Sequence, residues 1–149
     1  MRALLFASAC AFAFVTTAAC AEPWVDWSPK KGFYNVTAVK VDPNHIDDYL
    51  VGIKKIWVPG EEYAKKQGLI DNYEVLVNVN AAGASANVLL VEHVTSFATM
   101  DPNKKRDQDM EKAMYAMMPK DQQDTMVQGF DKYRTFVGQE MWQAVEFPK

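Results

Sequence analysis

Asp-Pro-Asn stands twice in this chain, at Asp42-Pro43-Asn44 and at Asp101-Pro102-Asn103. Each copy follows a β-like run and precedes an amphipathic helical pattern. Aspartate capping a helix, with proline at the first helical position, is a strong start signal. The carboxylate accepts a free backbone N–H, and the proline ring presets φ where its missing N–H does no harm. The repeated punctuation predicts two similar strand–helix–strand halves. It assigns Asp42 and Asp101 to capping rather than to catalysis, so it constrains fold far more than function.

Reading outward from these caps gives the element order. Gly32 to Val41 (GFYNVTAVKV) is rich in β-branched and aromatic residues and predicts a first strand. After Asp42, Ile46, Leu50, Ile53 and Trp57 recur at helical spacing and make one apolar face. Pro59 predicts a kink or restart at Lys55. Glu61–Lys65 and Glu62–Lys66 are placed as helix-supporting pairs, and Gly68 closes the helix. Ile70 to Asn80 reads as a second strand, Ala81 to Ala86 as a small turn, and Asn87 to Phe97 as a third strand, so these strands form a hairpin. The third strand is apolar on both faces in its first half, as for a strand covered on both sides. Met110, Ala113, Met114 and Met117 face one way on a second helix. Met126, Phe130, Tyr133 and Val137 do so on a third, which Gly138 ends. Gln139 to Phe147 (QEMWQAVEF) predicts the fourth strand.

The resulting order, β–α–β–β–α–α–β, is the split βαβ of ferredoxin-like α+β domains: a four-stranded antiparallel sheet with helices on one face. The other face must also be covered, because the first and third strands carry apolar residues on both sides. A second copy packed sheet against sheet is the economical cover, which predicts a homodimer.

The ends bound the setting. Arg2 followed by the uncharged apolar stretch Ala3 to Ala19, then Ala19-Cys20-Ala21, reads as a secretory signal cleaved after Ala21. A retained anchor and lipidation at Cys20 are the alternatives. No later segment approaches the ~20 apolar residues of a membrane span. Cleavage would leave an exported, periplasmic or secreted chain without cysteine, so neither disulfides nor thiol chemistry would be used. A leader, Glu22 to Lys31, carries Trp24 and Trp27, and Pro23 and Pro29 argue against regular structure in it. Residues 32–149 then form one domain. The 19 acidic and 16 basic residues are interspersed, which predicts no nucleic-acid surface.

The tract VEHVTSFATMDPN, a strand ending in Glu-x-Val-x-Ser-Phe and then a helix, resembles the dimeric α/β-barrel superfamily. That group includes antibiotic-biosynthesis-monooxygenase-like and NIPSNAP-like proteins. The first helix interrupted by Pro59 and followed by Gly68-Leu69-Ile70 is similar too. The resemblance covers about residues 32 to 147. Members include cofactor-free monooxygenases, haem-degrading enzymes and cyclases, so it selects no activity. In the haem-degrading members an Asn, a Trp and a His act together; Asn35, Trp57 and His93 are the matching residue types here.

Among candidate site residues, His93 could serve as acid/base or bind haem iron if it points into a barrel cavity. A histidine hydrogen-bonded at an interface or strand end is the plainer reading. Glu92, after four apolar residues, either lies in the cavity or pairs with Lys or Arg of a partner sheet. Asn35, Asn78 and Asn80 are placed on the polar sides of the first two strands, where they could polarise a bound carbonyl. Trp57 lies on the core face of the first helix. Paired-His and Cys metal motifs are missing, and methionine at helical spacing is better read as core filling than as a copper(I) site. Three functions remain open: a binder of a small apolar or aromatic molecule in a sheet-lined cavity, a monooxygenase-like or haem-handling enzyme, and a structural protein without a small ligand.

Overall fold

The computed structural model describes residues 20–149. The expected signal segment therefore lies outside the described residues, apart from Cys20 and Ala21. The elements run β1 (Ser28–Pro29), β2 (Phe33–Val41), α1 (Ile46–Lys66), β3 (Ile70–Val77), β4 (Val88–Val94), α2 (Lys104–Met117), α3 (Lys120–Phe130), β5 (Arg134–Trp142) and β6 (Val145–Glu146). Four strands form an antiparallel sheet in the order β3–β4–β2–β5, with the helices on one face. This is a ferredoxin-like α+β domain. No helix among the described residues is long and apolar enough to cross a membrane.

The two Asp-Pro-Asn copies do different work. Asp42 caps as expected: its carboxylate accepts from Asn44 N–H at 2.9 Å, opening a 3₁₀ turn over Pro43–His45 that leads into α1. In the second copy the cap is Asn103, whose side-chain oxygen accepts from Arg106 N–H at 3.0 Å. Asp101 instead closes a 3₁₀ turn over Phe97–Met100. Arg106 clamps this turn by donating to the carbonyls of Thr99 and Asp101.

Helix α1 continues through Pro59 without a restart. Its acidic first turn (Asp47, Asp48) and basic last turn (Lys65, Lys66) both favour the helix dipole. It ends in a Schellman motif: Gly68 takes φ +71°, Leu69 N–H donates to Ala64 O and Gly68 N–H to Lys65 O. The core forms where Tyr49 and Ile53 of α1 and Phe130 of α3 meet Val39, Val41, Val88 and Leu90 of the sheet. Gly52 permits that approach, because a Cβ there would lie 2.3 Å from the Phe130 ring. Asn87 is fully enclosed. Its side chain accepts from Val41 N–H at 2.8 Å and donates to Val41 O at 2.7 Å, which fixes the start of β4 against the end of β2.

Several boundaries differ from expectation; β3 ends at Val77 and β4 at Val94, short of Asn80 and Phe97. Helix three stops at Phe130, and β5 starts at Arg134, so Gly138 lies inside a strand. The helical spacing of apolar residues runs on past Phe130, but Thr135, Phe136 and Val137 are strand formers, and Arg134, Thr135 and Phe136 pair with the far end of β2. The register of β2 with β5 shifts between Ala38 and Val39, leaving Val137 as the extra residue of a β-bulge. The leader is not wholly irregular: Ser28–Pro29 pairs with Val145–Glu146, and Lys30 N–H donates to Ala144 O. Proline is tolerated there because the ladder is short and at an edge. Trp24 remains exposed.

Candidate functional site

The pairing registers sort the sheet residues into two faces. Towards the helices point rows such as Met141, Asn35, Glu92 and Tyr73, then Gln139, Thr37, Leu90 and Val75. The opposite face carries Trp142, Tyr34, His93 and Asn72, then Glu140, Val36, Val91 and Glu74, then Gly138, Ala38, Leu89 and Leu76. Two faces with different chemistry follow.

On the helix side a cavity of about 340 Å³ lies between sheet and helices. Its apolar wall comes from Ile53, Ile56 and Trp57 of α1, Val127 of α3, and Leu90 and Phe136 of the sheet. Trp57 is braced edge-on by Tyr73, with ring centroids 5.5 Å apart. The polar lining comprises Thr37, Tyr49, Gln123 and Arg134. Gln123 is committed, since its amide donates to the carbonyls of Met114 and Met118 and ties α3 to the end of α2. Tyr49 and Arg134 are not: the Tyr49 hydroxyl and Arg134 Nε are buried without a hydrogen-bond partner. Arg134 is stacked against Phe136 and Phe130, its guanidinium carbon 4.7 and 4.8 Å from the two ring centroids. Burial pushes the Tyr49 hydroxyl pKa up. The nearby guanidinium opposes that shift without making a well-formed hydrogen bond.

Beside the cavity sits a partly buried polar network. Asn35 donates to Glu92 at 3.0 Å, and Gln139 donates to Asn35 at 2.9 Å, so the carboxylate is held by a chain crossing three strands. Facing it from α1, one turn beyond Trp57, is Glu61, only 8% exposed. Desolvation, and then the neighbouring Glu92 charge, push the Glu61 pKa up to about 8. Glu61 is thus turned towards the sheet and not towards Lys65, as helical charge pairing had suggested.

The sequence-derived residues divide accordingly. Asn35, Glu92 and Trp57 gather on the helix side; Asn35 lies in the core-facing row between Phe33 and Thr37, not on a polar side. His93 points the other way, with Nδ1 2.5 Å from Asp71 and its ring 4.8 Å from Tyr34. Asn35, Trp57 and His93 are therefore not brought together. Asn78 and Asn80 lie beyond the end of β3. Asn78 shapes the turn by accepting from Asn80 N–H, and both are exposed. The cavity lining holds no histidine, cysteine or methionine, and His93 lies on the other face of the sheet. Met110 and Met114 meet α1 at Gly60, as core filling. Sequence reasoning missed Glu61, Tyr49 and Arg134. For the first two, continuing the Ile53–Trp57 stripe one turn in each direction would have found them.

On the open face a broader groove of about 520 Å³ runs over Tyr34, Val36, Leu76, Leu89, Val91 and Trp142, with Glu74 and Glu140 on its flanks. No element among the described residues covers it.

No protein-family model and no curated protein matches the chain. Solved structures do. The crystal structure of HapK from Hahella chejuensis is 16% identical, with 73% of this chain and 89% of HapK covered and a TM-score of 0.40. A dimeric ferredoxin-like protein from an uncultured marine organism is 10% identical, with 80% of this chain and 91% of that one covered and a TM-score of 0.46. Both similarities concern overall chain layout.

Proposed function

We propose that the protein binds a small, flat, mostly apolar molecule in the helix-side cavity, as an exported homodimer of the dimeric α/β-barrel type. The observation that carries this reading is the cavity itself. Its size is in the range that holds small ligands, and its apolar walls surround a few inward polar groups, the usual form of a small-molecule site. The sequence placed this ligand in a sheet-lined cavity. The helix-side pocket, walled by Ile53 and Trp57 of α1 and backed by the sheet, is the better candidate because it leaves the other face to a second copy. The open face is assigned to the second copy, since Tyr34, Leu76 and Trp142 leave an apolar surface exposed there.

The test uses 2-naphthylmethanol as probe and melting temperature as readout. At one hundred times its dissociation constant, binding stabilises by about 2.7 kcal/mol, or on the order of 5–10 °C for a domain of this size. The rise is expected for the wild-type chain and not for Val127→Trp, which fills the cavity. An equal rise in both places the probe elsewhere and ends the reading.

A second reading is favoured by Glu61. A carboxyl that keeps its proton to about pH 8 beside a fixed carboxylate can give or take a proton from a bound molecule. Glu61 and Glu92 stand beside the cavity rather than in its lining, so this reading requires a bound molecule to reach past Trp57; His93 is on the other face.

A further inference from the structure

We propose that Tyr49 and Arg134 form an anchor for a planar oxyanion, so that the molecule bound in the cavity is an aromatic or alicyclic carboxylic acid. The proposal rests on the cavity reading above and specifies its ligand class. Three observations carry it.

The first is the pair of unsatisfied donors. Buried polar atoms without partners are rare, because each forfeits its hydrogen bonds to water. Here two occur in residues lining one cavity, the hydroxyl of Tyr49 and Nε of Arg134. Both groups donate, and a carboxylate only accepts.

The second is charge. Arg134 is nine-tenths buried, and its nearest acidic partner, Asp131, lies 3.6 Å from Nη2 and is itself mostly in solvent. That contact leaves Nε free. Guanidinium presents its donors as a planar fork matched to a carboxylate, so the unused edge specifies a planar oxyanion more than a lone hydroxyl.

The third is placement. The stacking on Phe130 and Phe136 holds the guanidinium plane in position before any ligand arrives, so little ordering is lost on binding. The other polar lining residues are Thr37 and Gln123, the latter already donating to carbonyls, and Glu61, one turn beyond Trp57, lies outside the lining together with Glu92. An acid whose ring lies against Trp57 and whose carboxylate meets Arg134 keeps its charge away from those carboxyl groups.

Calorimetric titration with 2-naphthoate and with 2-naphthylmethanol tests this, since the two share a ring system and differ in the anionic group. The wild-type chain is expected to bind naphthoate about ten- to a hundredfold more tightly than the alcohol. Arg134→Met should remove that preference while the alcohol still binds. Tyr49→Phe should reduce it several-fold. Tyr49→Phe deletes one oxygen and keeps the ring, so it decides the matter if Arg134→Met does not fold, as judged by circular dichroism. Equal wild-type affinities for the two probes overturn the anchor and leave the cavity reading standing. A preference unchanged by Tyr49→Phe overturns it likewise. Binding of neither probe overturns both.

Discussion

Glu61→Gln is the most informative single change. In the folded chain burial holds the Glu61 carboxyl at about 8 against an ordinary value of 4.5. At 1.36 kcal/mol per pH unit the difference gives a ceiling of about 5 kcal/mol. Residual solvent around the carboxyl and relaxation of its neighbours bring the expected value to about 2–3 kcal/mol. The sign follows from proton counting. Below pH 4.5 both folded and unfolded chains hold the proton, and stability is complete. Between 4.5 and about 8 only the folded chain holds it, so unfolding releases a proton and stability falls as pH rises. Above about 8 both are ionised and the full penalty of a buried charge, next to Glu92, is present. Glutamine keeps the shape of the protonated acid and never ionises. Urea denaturation of both proteins at pH 5, 7 and 9 should therefore show a gap that grows with pH, the variant being more stable at pH 9 by about 2–3 kcal/mol relative to pH 5. A gap constant across that range would refute the argument, and with it the acid–base role given to Glu61.

Gly52→Ala should destabilise the fold by about 1–3 kcal/mol in thermal melts: helix propensity favours alanine by about 1 kcal/mol, but its Cβ would drive into the buried Phe130 ring. A neutral or stabilising result would show that α1 and α3 separate easily. Val36→Lys, in the middle of the open face, should turn a dimer into a monomer in light scattering without moving the far-UV circular dichroism; a wild-type chain that is already monomeric removes the sheet-to-sheet dimer.

Much of the fold was legible because local signals agreed with tertiary need. The hairpin of β3 and β4 has both apolar alternation and a small-residue turn, and Asp42 caps where its motif says. The end of helix three was misread because a periodic pattern persisted past the point where long-range pairing took over. Met126, Phe130, Tyr133 and Val137 continue a helical stripe, yet Arg134 to Val137 lies against β2, and pairing there decides the structure. Glu61 was misplaced for a related reason, because an i,i+4 charge pair is a weak contribution compared with the direction in which α1 buries its face. The site was less legible than the fold. Asn35, Glu92 and Trp57 stood out as residue types, but their grouping depends on strand register, which a single residue can reverse. Arg134 gave no signal at all, since its role arises from Phe130, Phe136 and Tyr49 meeting around it.

The bulge at Val137 has a bearing on how such a chain can change. Strict alternation along β5 would put Arg134 and Phe136 on one side of the sheet and Gln139 and Met141 on the other. The supernumerary residue restores all four to the helix side. The strand is thus two half-strands with separate phases, joined by one residue of slack. Loss of that residue would straighten the strand and leave every inward side chain where it stands, whereas gain of one elsewhere in β5 would expel either the cavity wall or the Asn35–Gln139 link. In descendants of this sequence, length variation in β5 is therefore tolerated in one direction only.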